Sequence, residues 1–247
     1  STGSGVNEAI RDSDAPDEAS LVPYPFAIED PSFARFYGLP DTARRLASAV
    51  TYNVTGEPVE KSPATEGSGG GFYSNVHNAY VTGSFSRNFG NLYVFRAKAP
   101  SFEGDSRLPQ GTAPQLRYWS LCTNDFPTQR FVGCLTDYQA EVGPDGWLTL
   151  VVSDPGDRPS GVTTGSRVNW LPWGGAYVDS LLIYRHMLPA ASFAEAIQSV
   201  GYYQNLEEVM GDYAPRAAYC DAATIDDALA GAPANPGAAV FAACAVS

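Results

Sequence analysis

The sequence predicts a mainly β protein with peripheral helices, an antiparallel β-sandwich or distorted barrel whose helices gather toward the C-terminus. Three observations carry this. Strand formers are abundant, with 14 Tyr, 12 Phe and 4 Trp beside many Val and Thr. Turn formers match them, with 24 Gly and 19 Pro. From residue 72 onward apolar residues recur with a period of two, as half-buried strands require. A chain of 247 residues suits one β-rich domain, and the expected division is an acidic tail at 1–22 followed by a single domain at 23–247.

The tail is rich in Gly, Ser and Asp and has no apolar period. Asp12, Asp14, Asp17 and Glu18 alternate like calcium ligands, but Asp17 stands where an EF-hand loop needs Gly. A helix is expected over 41–50, where Pro40 fits the start and Ala43, Leu46, Ala47 and Val50 form one stripe. Gly67-Ser68-Gly69-Gly70-Gly71 reads as a linker, since a phosphate-binding loop would continue into Lys-Ser/Thr. Strands are expected at 76–84, 91–98, 115–122, 129–138, 147–153, 166–170 and 176–186. In 91–98, Tyr93, Phe95 and Ala97 share one face while Leu92 and Val94 lie on the other. Gly143-Pro144-Asp145-Gly146 is a turn, because Pro fixes φ and Gly accepts positive φ. Ser192 and Glu195 form a capping box, and Phe193, Ile197, Val200, Tyr203, Leu206 and Met210 predict a helix running through or kinking at Gly201. Thr224 with Asp226 and Asp227 marks a further helix start.

Charge and cysteines bound the compartment and partners. The net charge is −12, which repels a phosphate backbone and excludes nucleic acid as a natural partner. No apolar run is long enough for a spanning helix. Cys122, Cys134, Cys220 and Cys244 allow three pairings, of which 122–134 across a hairpin and 220–244 around the C-terminal segment is the shortest-range. Without a Cys-x-x-Cys, oxidised cysteines point to a secreted or cell-surface protein. The start at Ser1 fits a processed chain, and Asn53-Val54-Thr55 matches a glycosylation sequon.

Common catalytic motifs are missing: there is no Gly-x-Ser-x-Gly, Walker loop or His-Glu-x-x-His. The two histidines, His77 and His186, and the strand-associated Asp125, Asp137 and Asp179 are the candidates for acid–base work. No metal site or cofactor is read from the sequence, and a turn at Asp154-Pro155-Gly156-Asp157 is preferred to a calcium loop. Candidate ligand contacts are Asn78, Tyr80, Arg117, Tyr118, Asn169, Trp170 and Trp173, since aromatics stack on sugars and planar ligands and Arg forks a carboxylate. Trp119 and Trp170 are expected to anchor the core, and Trp173, followed by Gly174-Gly175, to be the exposed one of the three.

The strand Gln115-Leu116-Arg117-Tyr118-Trp119-Ser120-Leu121-Cys122 and the segment Asn169-Trp170-Leu171-Pro172, followed by Leu182-Ile183-Tyr184-Arg185, resemble a bacterial family of unknown function, domain-of-unknown-function twelve-fourteen. The resemblance spans residues 76–190 and implies a β-sandwich, with no catalytic residues attached. The chain departs from the pattern by its cysteines and its acidic N-terminal extension. Two functions follow as expectations. One is an extracellular disulfide-stabilised module for binding a carbohydrate or small molecule, or for surface assembly with the tail as donor strand. The other is a secreted glycan or ester hydrolase using carboxylates or His in a Trp-lined cleft.

Overall fold

The alternation read after residue 72 becomes strands. The computed structural model describes residues 33–36, 77–125, 128, 130–175, 177–201, 205–231 and 233–245. The acidic tail, the 41–50 helix, the sequon and the Gly linker lie outside them. Among the described residues the strands are β1 (Phe33–Phe36), β2 (Asn78–Ser86), β3 (Leu92–Lys98), β4 (Leu116–Asp125), β5 (Phe131–Thr136), β6 (Trp147–Ser153), β7 (Asn169–Pro172), β8 (Asp179–Pro189) and β9 (Arg216–Cys220). The helices are α1 (Leu206–Met210), α2 (Ala222–Ala230) and α3 (Pro236–Cys244).

One sheet runs β1-β2-β8-β4-β5 and is antiparallel throughout. The second runs β7-β6-β3-β9, where β7 lies parallel to β6 and departs from the expected all-antiparallel pattern. Their inner faces meet in one core. Val81, Phe85, Trp119, Leu121, Leu182 and Tyr184 from the first sheet pack with Tyr93, Phe95, Leu148, Leu150 and Val152 from the second. This is a β-sandwich.

The second sheet is apolar on both faces, as the two stripes of 91–98 require. Leu92, Val94 and Val151 point away from the sandwich core and pack with Ile225 of α2 and with Val240 and Cys244 of α3. The helices therefore form a third layer. Asp221 caps α2 by accepting from the Thr224 amide at 2.8 Å, so the helix begins ahead of Thr224. Asn235 caps α3 ahead of Pro236 at its first turn.

The expected helix over 193–210 does not form as read. Its described positions lie on a turn, a 3-10 segment at Ile197–Ser199 and the short α1, Tyr203 falling outside the described residues, and Phe193, Ile197, Val200 and Met210 still reach the core. The Ser192/Glu195 pair opens no α-helix. A coil laid along a sheet buries the same residues once its own polar groups are satisfied, as when the Ile197 amide donates to His186 Nδ1 at 3.2 Å.

Both disulfides join the pairs expected from sequence spacing. Cys122 and Cys134 face each other across β4 and β5, with Cα atoms 4.1 Å apart, the close approach of a non-hydrogen-bonded pair. Cys220–Cys244 ties the end of β9 to the end of α3 across 24 residues. Closing these loops stabilises the fold by about 3 and about 3.5 kcal/mol in the chain-entropy picture. Replacing Cys220 and Cys244 together by Ser should lower the unfolding free energy in urea by about 3.5 kcal/mol; an unchanged midpoint would show that the helical layer holds without its clamp.

Candidate functional site

The strand order gives the sandwich two ends, and the residues singled out by sequence divide between them. Asp125 and Asp179 sit where β4 ends and β8 begins. His77, Asp137 and His186 sit at the opposite end, beside the start of β2 and the close of β5 and β8. Asp125 and Asp179 are thus separated from the two histidines, while Asp137 shares their end.

His186, Asp137 and Asp125 have structural tasks. His186 is buried against Tyr184 and Phe193, with Nδ1 occupied by the Ile197 amide. Burial drives its pKa down to about 3, so it stays neutral, and its accepting nitrogen is taken by Ile197. His77 is exposed, and its carbonyl accepts from the Leu188 amide. Asp137 accepts from the Trp119 amide at 3.2 Å and the Tyr138 amide at 2.8 Å, extending the β4–β5 pairing. Asp125 accepts from Thr128 Oγ1 at 2.5 Å and caps that hairpin's other end. Asp179 is buried opposite Ser86.

The proposed ligand contacts separate in the same way. Asn78, Tyr80 and Tyr118 are brought together on the outer face of the five-stranded sheet, half-buried, with Arg185 5.1 Å from the Tyr80 ring centre. Arg117 is exposed and paired with Glu103 at 2.6 Å. Asn169 is a buried clamp: Nδ2 donates to the carbonyls of Glu141 and Thr149, and Oδ1 accepts the Glu141 amide. Trp170 donates to Ser153 Oγ at 3.0 Å and packs on the helical side of the second sheet under Arg158.

Trp173 is buried at 2% exposure, contrary to the exposed position expected of it. The glycine that follows it provides close approach. A Cβ on Gly174 would collide with Ser180 and the Asn124 carbonyl, so Gly alone lets the loop press Trp173 inward against Phe85. Arg87 stacks over the indole at 4.7 Å and forks Asp154 through Nε and Nη2, while its other donors reach the carbonyls of Gly175 and Tyr177. Asp154, the possible calcium ligand, is committed to that pair. This end is closed.

The other end is open. A cleft of about 710 Å³ lies between the loop joining β3 to β4, the turn at Gly143–Gly146 and Arg167. Gln115 fixes the base of its first wall. Its Oε1 accepts from the Ser101 amide at 2.9 Å, and its Nε2 donates to Tyr213 Oη at 2.7 Å. Asp105, with a nearly inaccessible carboxylate, holds Arg107 through Nε and Nη2, the latter at 2.6 Å. Burial by itself would raise the pKa of Asp105, but the hydrogen bonds and charge of Arg107 carry it below the usual aspartate value. Asp137 moves the opposite way, raised by burial and then by the negative charge of Asp105 against the pull of its backbone hydrogen bonds.

The second wall is the expected turn, with the Gly146 amide donating to the Gly143 carbonyl and Gly146 at φ 79. Arg167 completes the rim at φ 59, a strained setting for a residue with a Cβ. Glu141 enforces it, accepting the Gly165 amide at 2.6 Å and the Arg167 amide at 2.8 Å. Sequence reasoning missed this site because its cations, Lys98, Arg107 and Arg167, come from three separate segments. The one local sign was an arginine in each of two turn-rich loops.

Together these features define a disulfide-clamped two-sheet sandwich with a helical cap, open and cationic at one end. Neither a family model nor a curated protein matches the chain. Similar solved structures include an uncharacterised protein from Burkholderia cenocepacia, at 15% identity and TM-score 0.39 over 62% of this chain and 32% of that one. Another is the VPA0106 protein from Vibrio parahaemolyticus, at 16% identity and TM-score 0.36 over 59% of this chain and 31% of that one. The chain spans about a third of the length of either. No helix among the described residues is long and apolar enough to cross a membrane.

Two substitutions test these assignments. Gly174→Ala should destabilise the fold by about 1–3 kcal/mol through overpacking against Ser180 and Asn124, read from the urea midpoint. Asp105→Asn should cost about 1.5–3 kcal/mol at neutral pH, the value of charge-assisted hydrogen bonds. Because the folded pKa of Asp105 lies below its unfolded value of 3.8, this stabilisation is present above that pH and is lost as pH falls through the folded value. Wild type and variant should therefore converge in acid, and a pH-independent gap would contradict the pairing.

Proposed function

We propose that this chain is an extracytoplasmic, disulfide-stabilised binding module whose ligand enters the cleft between the β3–β4 loop, the Gly143–Gly146 turn and Arg167. The observation that carries the reading is the contrast between the two ends of the sandwich. At one, Arg87 has its donors engaged and Trp173 is packed away. At the other, three basic side chains line an open volume within the range of small-molecule sites. Both disulfides support an oxidising compartment. The resemblance of residues 76–190 to the twelve-fourteen family belongs to the same reading, as a sandwich module without an assigned reaction.

Hydrolysis has less support. Asp125 and Asp179 are far from the cleft end, and His186 has its accepting nitrogen occupied. Assembly through residues 1–22 is a reading of the sequence alone, since that segment lies outside the described residues.

Fragment screening by chemical-shift mapping on the full chain tests the reading. Hits should move the backbone amides of Ser101, Gln115 and Gly146 together. A screen whose hits gather at the Asp125/Asp179 end, or that moves none of those amides, would overturn the assignment of the cleft.

A further inference from the structure

The charge of the cleft is the reverse of the charge of the chain. Over the whole sequence 27 acidic residues oppose 15 basic ones, yet the cleft is lined by Lys98, Arg107 and Arg167 against the single carboxylate of Asp105. Asp212, 4.0 Å from Lys98, and Glu141, taken up by two backbone amides, stand outside the lining.

The three cations are also unequally committed. Arg107 spends Nε and Nη2 on Asp105 and the Pro100 carbonyl, which fixes the guanidinium plane and leaves Nη1 without an acceptor among the described residues. The Arg167 guanidinium has neither an ion pair nor a hydrogen bond among them. Its backbone is nonetheless held at positive φ by Glu141, which fixes where the exposed side chain starts from, and no described protein group engages the guanidinium. Lys98 is held only loosely. Beside these donors the lining includes Leu108, Ala113 and Val142, so the cleft offers an apolar wall as well as charge.

We propose that the cleft binds a small organic anion, with its acidic group between Arg107 and Arg167 and within reach of Lys98, and its carbon skeleton on Leu108, Ala113 and Val142. This rests on the reading of the chain as a binding module and adds the class of ligand. A fixed guanidinium with a spare edge loses little side-chain freedom when it takes a carboxylate. The apolar wall favours an organic acid over a bare inorganic ion.

Isothermal titration of the full chain with 2-naphthoate, 2-naphthamide and inorganic phosphate tests this. Naphthoate should bind about tenfold or more tightly than the amide, the scale of one charge-assisted contact, and should weaken as ionic strength rises. Arg167→Gly removes the guanidinium while tolerating the positive φ, and should bring naphthoate down to the level of the amide. Lys98→Gln, outside the strained turn, should weaken naphthoate by a smaller factor. Equal affinity for acid and amide would overturn the anion class while leaving the cleft a binding site. Phosphate binding as tightly as naphthoate would overturn the organic part. If naphthoate fails to bind while screened fragments still shift Ser101, Gln115 and Gly146, this inference falls and the module reading stands; if no ligand shifts those amides, both fall.

Discussion

The pair β3 and β6 is apolar on both faces, and the architecture follows from that constraint. A two-faced apolar sheet needs a cover on each side, because each Leu, Val or Phe left exposed would forfeit about 1.5–3 kcal/mol. Tyr93, Phe95, Leu148, Leu150 and Val152 are covered by the five-stranded sheet. Leu92, Val94 and Val151 are covered by α2 and α3. The helices are short, with nine residues each, and isolated helices of that length are marginal in water. Packing on the sheet and the Cys220–Cys244 bond keep them in place, so the clamp belongs to the same constraint.

A buried charge links this helical layer to the cleft. Arg96 lies on the helical face of β3, only 8% exposed, where it donates to Thr149 Oγ1 at 2.6 Å, pairs with Asp145 and stacks over Trp147 at 5.2 Å. Gly237 in the first turn of α3 permits the approach, since a Cβ there would meet Thr149 and the Arg96 guanidinium. Asp145 also takes a hydrogen bond from Asn235, the cap of α3, and its pKa falls below the usual aspartate value: burial alone would raise it, and Asn235, the Trp147 amide and Arg96 outweigh that. Asp145 belongs to the turn that forms the second wall of the cleft. The helix cap, the buried arginine and the cleft wall thus share one network.

What was legible in the sequence follows from which signals are local. Alternation in 91–98 and 147–153 names both faces of β3 and β6 residue by residue, because a strand's side-chain period is fixed by its backbone. The cysteine pairs were legible because each closes a short segment. The 193–210 stripe misled because apolar spacing reports burial, and a coil on a sheet can bury the same positions as a helix. Trp173 misled because glycine marks close approach as often as freedom, and what lies opposite Gly174 is set by β4 and β8 rather than by its neighbours. The four residues of β1 and five of β9 are too short to show a period. The cleft was hidden for the same reason as Trp173: Lys98, Arg107 and Arg167 converge through topology.

The arginines show how residues of one type acquire different tasks in this fold. Guanidinium donors have a fixed inventory, and the acceptors already engaging them tell structure from availability. Arg87 meets a carboxylate, two carbonyls and an indole face, which closes its end of the sandwich. Arg96 meets a hydroxyl, a carboxylate and an indole, and holds α3 against the sheet. Arg107 is half-committed, oriented by Asp105 with one edge left over. Arg167 has its backbone fixed by Glu141 and its guanidinium unspent among the described residues. Arg87 covers Trp173 at one end and Arg96 holds the helical cap, while Arg107 and Arg167 stand at the cleft with donors left over among the described residues. In a chain of net charge −12, where a carboxylate partner is easily found, a half-committed Arg107 and an Arg167 guanidinium unpaired among the described residues, both lining one opening, are the mark of where a ligand belongs.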